Sequence, residues 1–166
     1  MSKRQPDNLR KMLTSAKFVR HPIPREPRLV GLVPCGKCKY CRLGYIQPAT
    51  GFSVTNKVGK VITWTYNRLF SCGSRNVLYI LACLTPPHFY LGKTQDLPQR
   101  CRKHASDVRH PENSNCRECS EHLRDCTHLT EPFFQMFPFW YEDDAEVRHQ
   151  LERRAINQWK PHLNGQ

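Results

Sequence analysis

Residues 77–104 constrain this chain more than any other stretch. Val77-Leu78-Tyr79-Ile80-Leu81-Ala82-Cys83 is a short apolar run with the character of a buried strand, and Phe89-Tyr90-Leu91-Gly92-Lys93 reads as its partner across a turn at Pro86-Pro87. Asp96 suits the N-cap of a helix that carries Pro98 in its first turn, where a missing N–H costs nothing. Along that helix Leu97, Cys101, His104 and Val108 share one face, so His104 is expected to be partly buried. Arg100 lies one turn before it. The unit is a hairpin with a tyrosine on each strand, feeding a basic helix.

Charge and cysteine usage narrow the surroundings. Across 166 residues, 26 basic against 14 acidic side chains leave a net charge of +12. Such an excess favours a polyanionic partner, because every phosphate contacted releases condensed counterions. Nucleic acid leads. No apolar run approaches the roughly 20 residues a membrane helix needs, and the opening Met1 to Asp7 is polar, so neither a membrane span nor a signal peptide is expected. Nine cysteines in a reducing, intracellular setting point to metal before disulfides, and the expected location is the nucleus.

Two stretches have ligand spacing. Cys35-Gly36-Lys37-Cys38-Lys39-Tyr40-Cys41 is a C-x2-C-x2-C run whose thiolates can reach one tetrahedral zinc. Cys72 is the expected fourth ligand, because a hairpin of residues 51–55 and 60–66, turning at Asn56 to Gly59, would carry it back to the knuckle. Further on, Cys116, Cys119, His122, Cys126 and His128 supply more ligands than one zinc needs. A second zinc site is expected there, against the plainer alternative of a polar helix over 114–126.

The chain divides into a basic arm, 1–28, with one helix-like patch from Leu9 to Phe18; a zinc-knuckle module, 29–76; and a domain, 77–166. Within the last, residues 132–141 are strand-like, with Pro138 arguing for a sheet edge or an irregular strand. The final helix starts near Asp143 and Asp144, buries Val147, Leu151, Ala155 and Trp159, carries Glu152 beside that face, and ends at Pro161.

Cutting a phosphodiester takes an activated water, a cation against the charge developing on phosphorus, and help for the leaving oxygen. Tyr79, Tyr90, Lys93, Arg100, His104 and Glu152 have the chemistry for all three. No paired carboxylates suggest a two-metal site, which leaves Glu152 as the one protein ligand of a Mg2+ (or Mn2+) completed by water and phosphate.

In this order, Val77-Leu78-Tyr79, Tyr90-Leu91-Gly92-Lys93-Thr94, Arg100 with His104, Leu151-Glu152 followed by Ile156, and Pro161-His162-Leu163-Asn164 resemble the motifs of the GIY-YIG endonucleases. Val and Leu replace the Gly and Ile of the first motif. The flanking Asn8-Leu9-Arg10-Lys11-Met12-Leu13, the cysteine knuckle with Cys72, and His122 with His128 resemble the C-terminal endonuclease region of Penelope-like retroelements. By that resemblance the chain is a fragment or a domesticated relative. The same relatives carry a second zinc set of two cysteines and two histidines. Cys83 matches the first cysteine, and His122 and His128 match the histidines. Thr85 or Pro86 stands where the second cysteine is expected, so His88 is favoured in its place, with Cys119 or Cys126 as substitutes.

The resemblance implies a small α/β (α+β) domain with a three-stranded mixed or antiparallel sheet flanked by helices, preceded by the zinc-binding hairpin module. It implies a metal-dependent DNA endonuclease that nicks its substrate, partnered by DNA and by a fused or separate reverse transcriptase. Tyr79 would activate water with help from Tyr90 or Lys93, which requires its pKa to fall well below about 10. Arg100 would meet the developing charge. His104 would position water or protonate the leaving group, Glu152 would hold the metal, and Asn164 would brace the site. The zinc knuckle and arm would add DNA affinity. The alternative is a catalytically decayed, zinc-stabilised nucleic-acid-binding module.

Overall fold

The computed structural model describes residues 29–83, 88–127 and 130–165. The basic arm, the Pro86-Pro87 turn and His128 lie outside the described residues.

A three-stranded antiparallel sheet forms the centre. Strand β5 (Val77–Cys83) runs between β6 (Phe89–Thr94) and β7 (Phe134–Tyr141). As the middle strand it is covered on both faces, which is why its sequence is apolar without alternation. Pro138 sits on an edge strand, as its missing N–H demands. The β5–β7 register shifts between Leu78 and Tyr79: Leu78 faces Trp140 and Tyr79 faces Pro138, leaving Phe139 as an extra residue. Pro138 and Phe139 are therefore buried in succession, and Phe139 packs on Trp64 and Trp159.

The N-terminal segments build two small pairs. β1 (Gly31–Val33) lies parallel to β4 (Leu69–Ser71), a pairing the sequence does not announce. β2 (Gly51–Thr55) and β3 (Val61–Thr65) form the expected hairpin, with the Asn56 side chain accepting from the backbone N–H groups of Val58 and Lys60 to fix its turn. Within the knuckle, Lys39–Arg42 forms a short helix, α1.

Three longer helices follow. α2 (Leu97–Arg109) is capped by Asp96, whose carboxylate accepts from Gln99 N at 2.8 Å, and it buries Leu97, Cys101, His104 and Val108. α3 (Arg117–Thr127) puts the second cysteine-histidine stretch on a helix. α4 (Ala145–Trp159) is capped by Asp144 and closes with Lys160 in the left-handed region at φ 49°, ahead of Pro161. Its burial corrects one expectation. Val147 is 42% exposed, while Arg148 is buried, its guanidinium donating to the carbonyls of Glu142 and Asp143. The helix start recruits Arg148 to close the incoming loop, and that rotates Val147 outward.

The knuckle region and the sheet share one hydrophobic core. Tyr45 is fully buried against Phe133 and Phe134, and its carbonyl accepts from Met136 N at 2.8 Å. Phe52 packs on Phe137 and Phe139. Residues before 77 are thus built into the sheet they precede. Among the described residues no helix is long and apolar enough to cross a membrane.

Candidate active site

By strand alternation Tyr79, Tyr90 and Gly92 turn to the α2 side of the sheet. Gly92 faces Tyr79 in register, and its bare Cα lets the tyrosine hydroxyl lie close above it. From α2, Arg100 Nε donates to Tyr79 Oη at 2.7 Å, and His104 Nε2 lies 2.8 Å from the same oxygen. Arg100 also bonds to the Tyr90 side chain. The tyrosine rings are 6.3 Å apart, and both meet the His104 ring edge-on. Phe134 closes the site from β7 at 6.0 Å from that imidazole.

Burial dominates the electrostatics. Tyr79 has no exposed surface, and desolvation pushes its phenol well above 10, Tyr90 adding to the rise and Arg100 opposing it. The expected drop in its pKa is therefore reversed: removing an anion from water costs more than one guanidinium returns. Burial likewise holds His104 well below the usual imidazole value, with Arg100 and Lys103 adding to the fall. Tyr90 is pushed up to about 12 by burial, against Arg100. A neutral phenol that accepts from Arg100 beside a neutral imidazole has one arrangement that uses both groups: Tyr79 O–H donates to His104 Nε2. His104 thus faces Tyr79 from the interior.

Lys93 turns to the other side of its strand, toward α4. Its Nζ lies 2.5 Å from His149 Nδ1 and 3.3 Å from Glu152 Oε2. The charge expected to help Tyr79 is engaged there. Glu152 also acts on Tyr90, so the two halves of the site meet at that ring. Sequence reasoning misses His149. A lone histidine on an amphipathic helix carries little signal, and its position one turn before Glu152 was the available clue.

Asn164 reaches back to β6, its Oδ1 accepting from Leu91 N at 2.8 Å and its Nδ2 donating to Leu91 O at 2.7 Å. A cleft of about 620 Å3 opens beside the site, lined by Lys93, Arg100, Arg102 and Lys103 among others. Its cations suit a phosphate backbone.

The structure brings Cys35, Cys38, Cys41 and Cys72 together, all four sulfurs lying within 4.8 Å of one another. Sulfurs around tetrahedral zinc stand about 3.8 Å apart for bonds of about 2.3 Å. The observed 3.3 Å (Cys38–Cys41) and 4.0 Å (Cys35–Cys41) bracket that spacing. Gly36, at φ 69°, makes the tight turn. Backbone N–H groups of Cys38 and Lys37, with the Cys72 side chain, bring Cys35 down to about 6, whereas burial and hydrogen bonds to Cys38 and Cys72 push Cys41 up to about 12. One thiolate is ready near neutral pH, and the set fits a thiophilic cation that displaces the remaining protons. The group abuts α2: α1 packs on it, bringing Cys101 close to Cys38 and Cys41.

For the second site, Cys83, His122 and Cys126 gather, with Cys126 Sγ 3.3 Å from His122 Nε2. The favoured His88 lies beside this group rather than in it, and Cys126, the named substitute, is within it. The His88 ring stacks on His122 and His162, at 4.9 and 4.0 Å between centroids. Cys119 is fully buried and pairs with Cys116. His128 lies outside the described residues.

Residues 75–165 match the GIY-YIG catalytic domain. No match was found among curated proteins or among solved structures. With more than half of its 166 residues matched, the chain belongs to the GIY-YIG family of nucleases.

Proposed function

We propose that this protein is a metal-dependent DNA endonuclease that nicks its substrate, and that it derives from a Penelope-like retroelement or a domesticated relative. The observation that carries the catalytic reading is the buried triad in which Arg100 Nε and His104 Nε2 both meet Tyr79 Oη.

Held at Nε by Tyr79, Arg100 keeps its terminal nitrogens for Tyr90 and for a phosphate in the cleft, where fixed donors stabilise charge developing on phosphorus. Water attacking phosphorus passes a proton to Tyr79 Oη as the phenol hands its own to His104 Nε2, so no free phenolate has to form. Because Tyr79 is closed to solvent, the attacking water reaches it only when substrate binding opens the site. Glu152 would hold the divalent cation: its carboxylate already faces a cation, the Lys93 ammonium. Bound there, Mg2+ or Mn2+ supplies charge against the developing anion. Asn164 braces β6 through Leu91.

The C-x2-C-x2-C knuckle with Cys72, and His122 ahead of His128, support the retroelement origin. On that reading the nuclease works in the nucleus beside a reverse transcriptase, fused or separate, and the basic arm adds DNA affinity. The closed Tyr79 favours a second reading, a zinc-stabilised binding module that has lost catalysis. Plasmid nicking with Mg2+ or Mn2+ separates them, using the parent, Arg100→Ala and Glu152→Ala. Nicking by the parent that falls on the order of 10²-fold or more in both variants is expected. Equal nicking in all three removes these residues from the mechanism; DNA binding without any nicking establishes the module.

A further inference from the structure

We propose that His149 is a second protein ligand of the catalytic cation beside Glu152, giving the site a mixed nitrogen and oxygen donor set that prefers Mn2+ to Mg2+. The proposal rests on the nuclease reading only in taking Glu152 as the metal carboxylate.

Three atoms carry it. Lys93 Nζ stands 2.5 Å from His149 Nδ1 and 3.3 Å from Glu152 Oε2, while those two acceptors are 3.5 Å apart. An ammonium can donate to Nδ1 only if that nitrogen presents its lone pair, the same lone pair a metal takes. Neighbouring donors in an octahedral shell with bonds of about 2.1 Å stand about 3.0 Å apart, so a small side-chain rotation closes the observed gap. His149 and Glu152 are three residues apart on α4 and face the same way, a spacing that lets one helix present an imidazole and a carboxylate to one ion. The His149 side chain is 44% exposed and that of Glu152 15%, leaving room for water and phosphate oxygens in the remaining positions.

Lys93 thus holds the cation position in the free protein. Its ammonium neutralises Glu152 and occupies the Nδ1 lone pair, so Lys93 would have to leave this position, toward the cleft it also lines, for His149 and Glu152 to hold a divalent ion. Imidazole nitrogen is a poor ligand for Mg2+, which prefers oxygen throughout, and a good one for transition cations. A site with one imidazole therefore discriminates in favour of Mn2+.

The test is Mn2+ binding to the full chain without DNA, read by the electron paramagnetic resonance of the free ion, with Mg2+ as competitor. Pulsed measurements on the bound ion read directly coordinated 14N. The parent is expected to show the nitrogen modulation; His149→Ala should lose it, bind Mn2+ on the order of tenfold more weakly and let Mg2+ compete more effectively. Thermal denaturation checks that the variant folds. A purely structural role for His149 would leave the nitrogen signature in place, so persistence of that signature in His149→Ala overturns the proposal. Unchanged Mn2+ affinity in His149→Ala with weakened binding in Glu152→Gln overturns it while leaving Glu152 as metal ligand. Unchanged affinity in both variants overturns it together with that assignment.

Discussion

Gly92→Ala should disable the site although alanine is only one carbon larger. A Cβ built at Gly92 would lie 2.6 Å from Tyr90 Cε1, 2.7 Å from Tyr79 Oη and 2.9 Å from Tyr79 Cζ. Ordinary contact begins near 3.4 Å, so the Tyr79 hydroxyl would have to withdraw by about 0.7 Å. It has nowhere to go cheaply, being fully buried with Arg100 Nε at 2.7 Å and His104 Nε2 at 2.8 Å. A withdrawal of that size takes at least one of these bonds to about 3.4 Å, beyond useful geometry. Overpacking of a filled site costs about 1–3 kcal/mol, and a lost bond to a charged group about as much again. At roughly 2–4 °C per kcal/mol for a chain of this size, the combined cost of about 2–6 kcal/mol should lower Tm by about 4–24 °C. Nicking should fall on the order of 10²-fold, the usual consequence of a misplacement approaching 1 Å. Gly73→Ala is the control, since its Cβ would meet only Ser71 Oγ at 3.8 Å. Parent-like nicking and an unmoved Tm in Gly92→Ala would refute the placement of Tyr79 against β6.

Stability should also depend on pH through His104. Its folded pKa is depressed by burial, so the folded state binds fewer protons than the unfolded chain; this contribution is complete above about pH 6.5 and is lost as pH falls below it. Tm measured against pH should drop on that acid side in the parent and drop less in His104→Gln; identical slopes would dismiss the buried neutral imidazole. Chelation of the four-cysteine site, or Cys72→Ser, should release one zinc by elemental analysis. Opening the Cys35–Cys72 loop costs about 4 kcal/mol if the metal acts as a cross-link, lowering Tm by roughly 10 °C; an unchanged Tm after metal loss would show that the cluster bears no weight. Asn164→Ala, which removes both bonds to Leu91, should cost about 2 kcal/mol in denaturant unfolding, and a change under about 0.5 kcal/mol would deny it the bracing role.

Local signals carried much of this architecture. The apolar run of β5, the Asp96 and Asp144 caps and the Pro138 edge each depend on a few neighbouring residues, and the structure has them where the pattern puts them. Spacing likewise sufficed to bring Arg100 and His104 to one face. What sequence could not carry was depth. Cations near a tyrosine suggest an acidified phenol, but Tyr79 lies under the sheet–helix contact, where desolvation outweighs Arg100. Val147 fits the helical repeat yet faces out, because Arg148 is recruited by backbone carbonyls from outside the helix. The parallel β1–β4 pair and the gathering of Cys83 with His122 and Cys126 depend on contacts between distant segments, which periodicity does not encode.

The pairing of Asn164 with Leu91 has a consequence beyond the site. β6 is an outer strand, and its outward N–H and C=O groups form a template on which another chain's strand could add. A carboxamide has the shape of a peptide group, so Asn164 occupies both Leu91 positions as a neighbouring strand would, and Leu163 N takes the Phe89 carbonyl alongside. The chain thereby blocks its own strand edge against aggregation, and the same few residues that steady the second tyrosine keep that edge from recruiting another molecule.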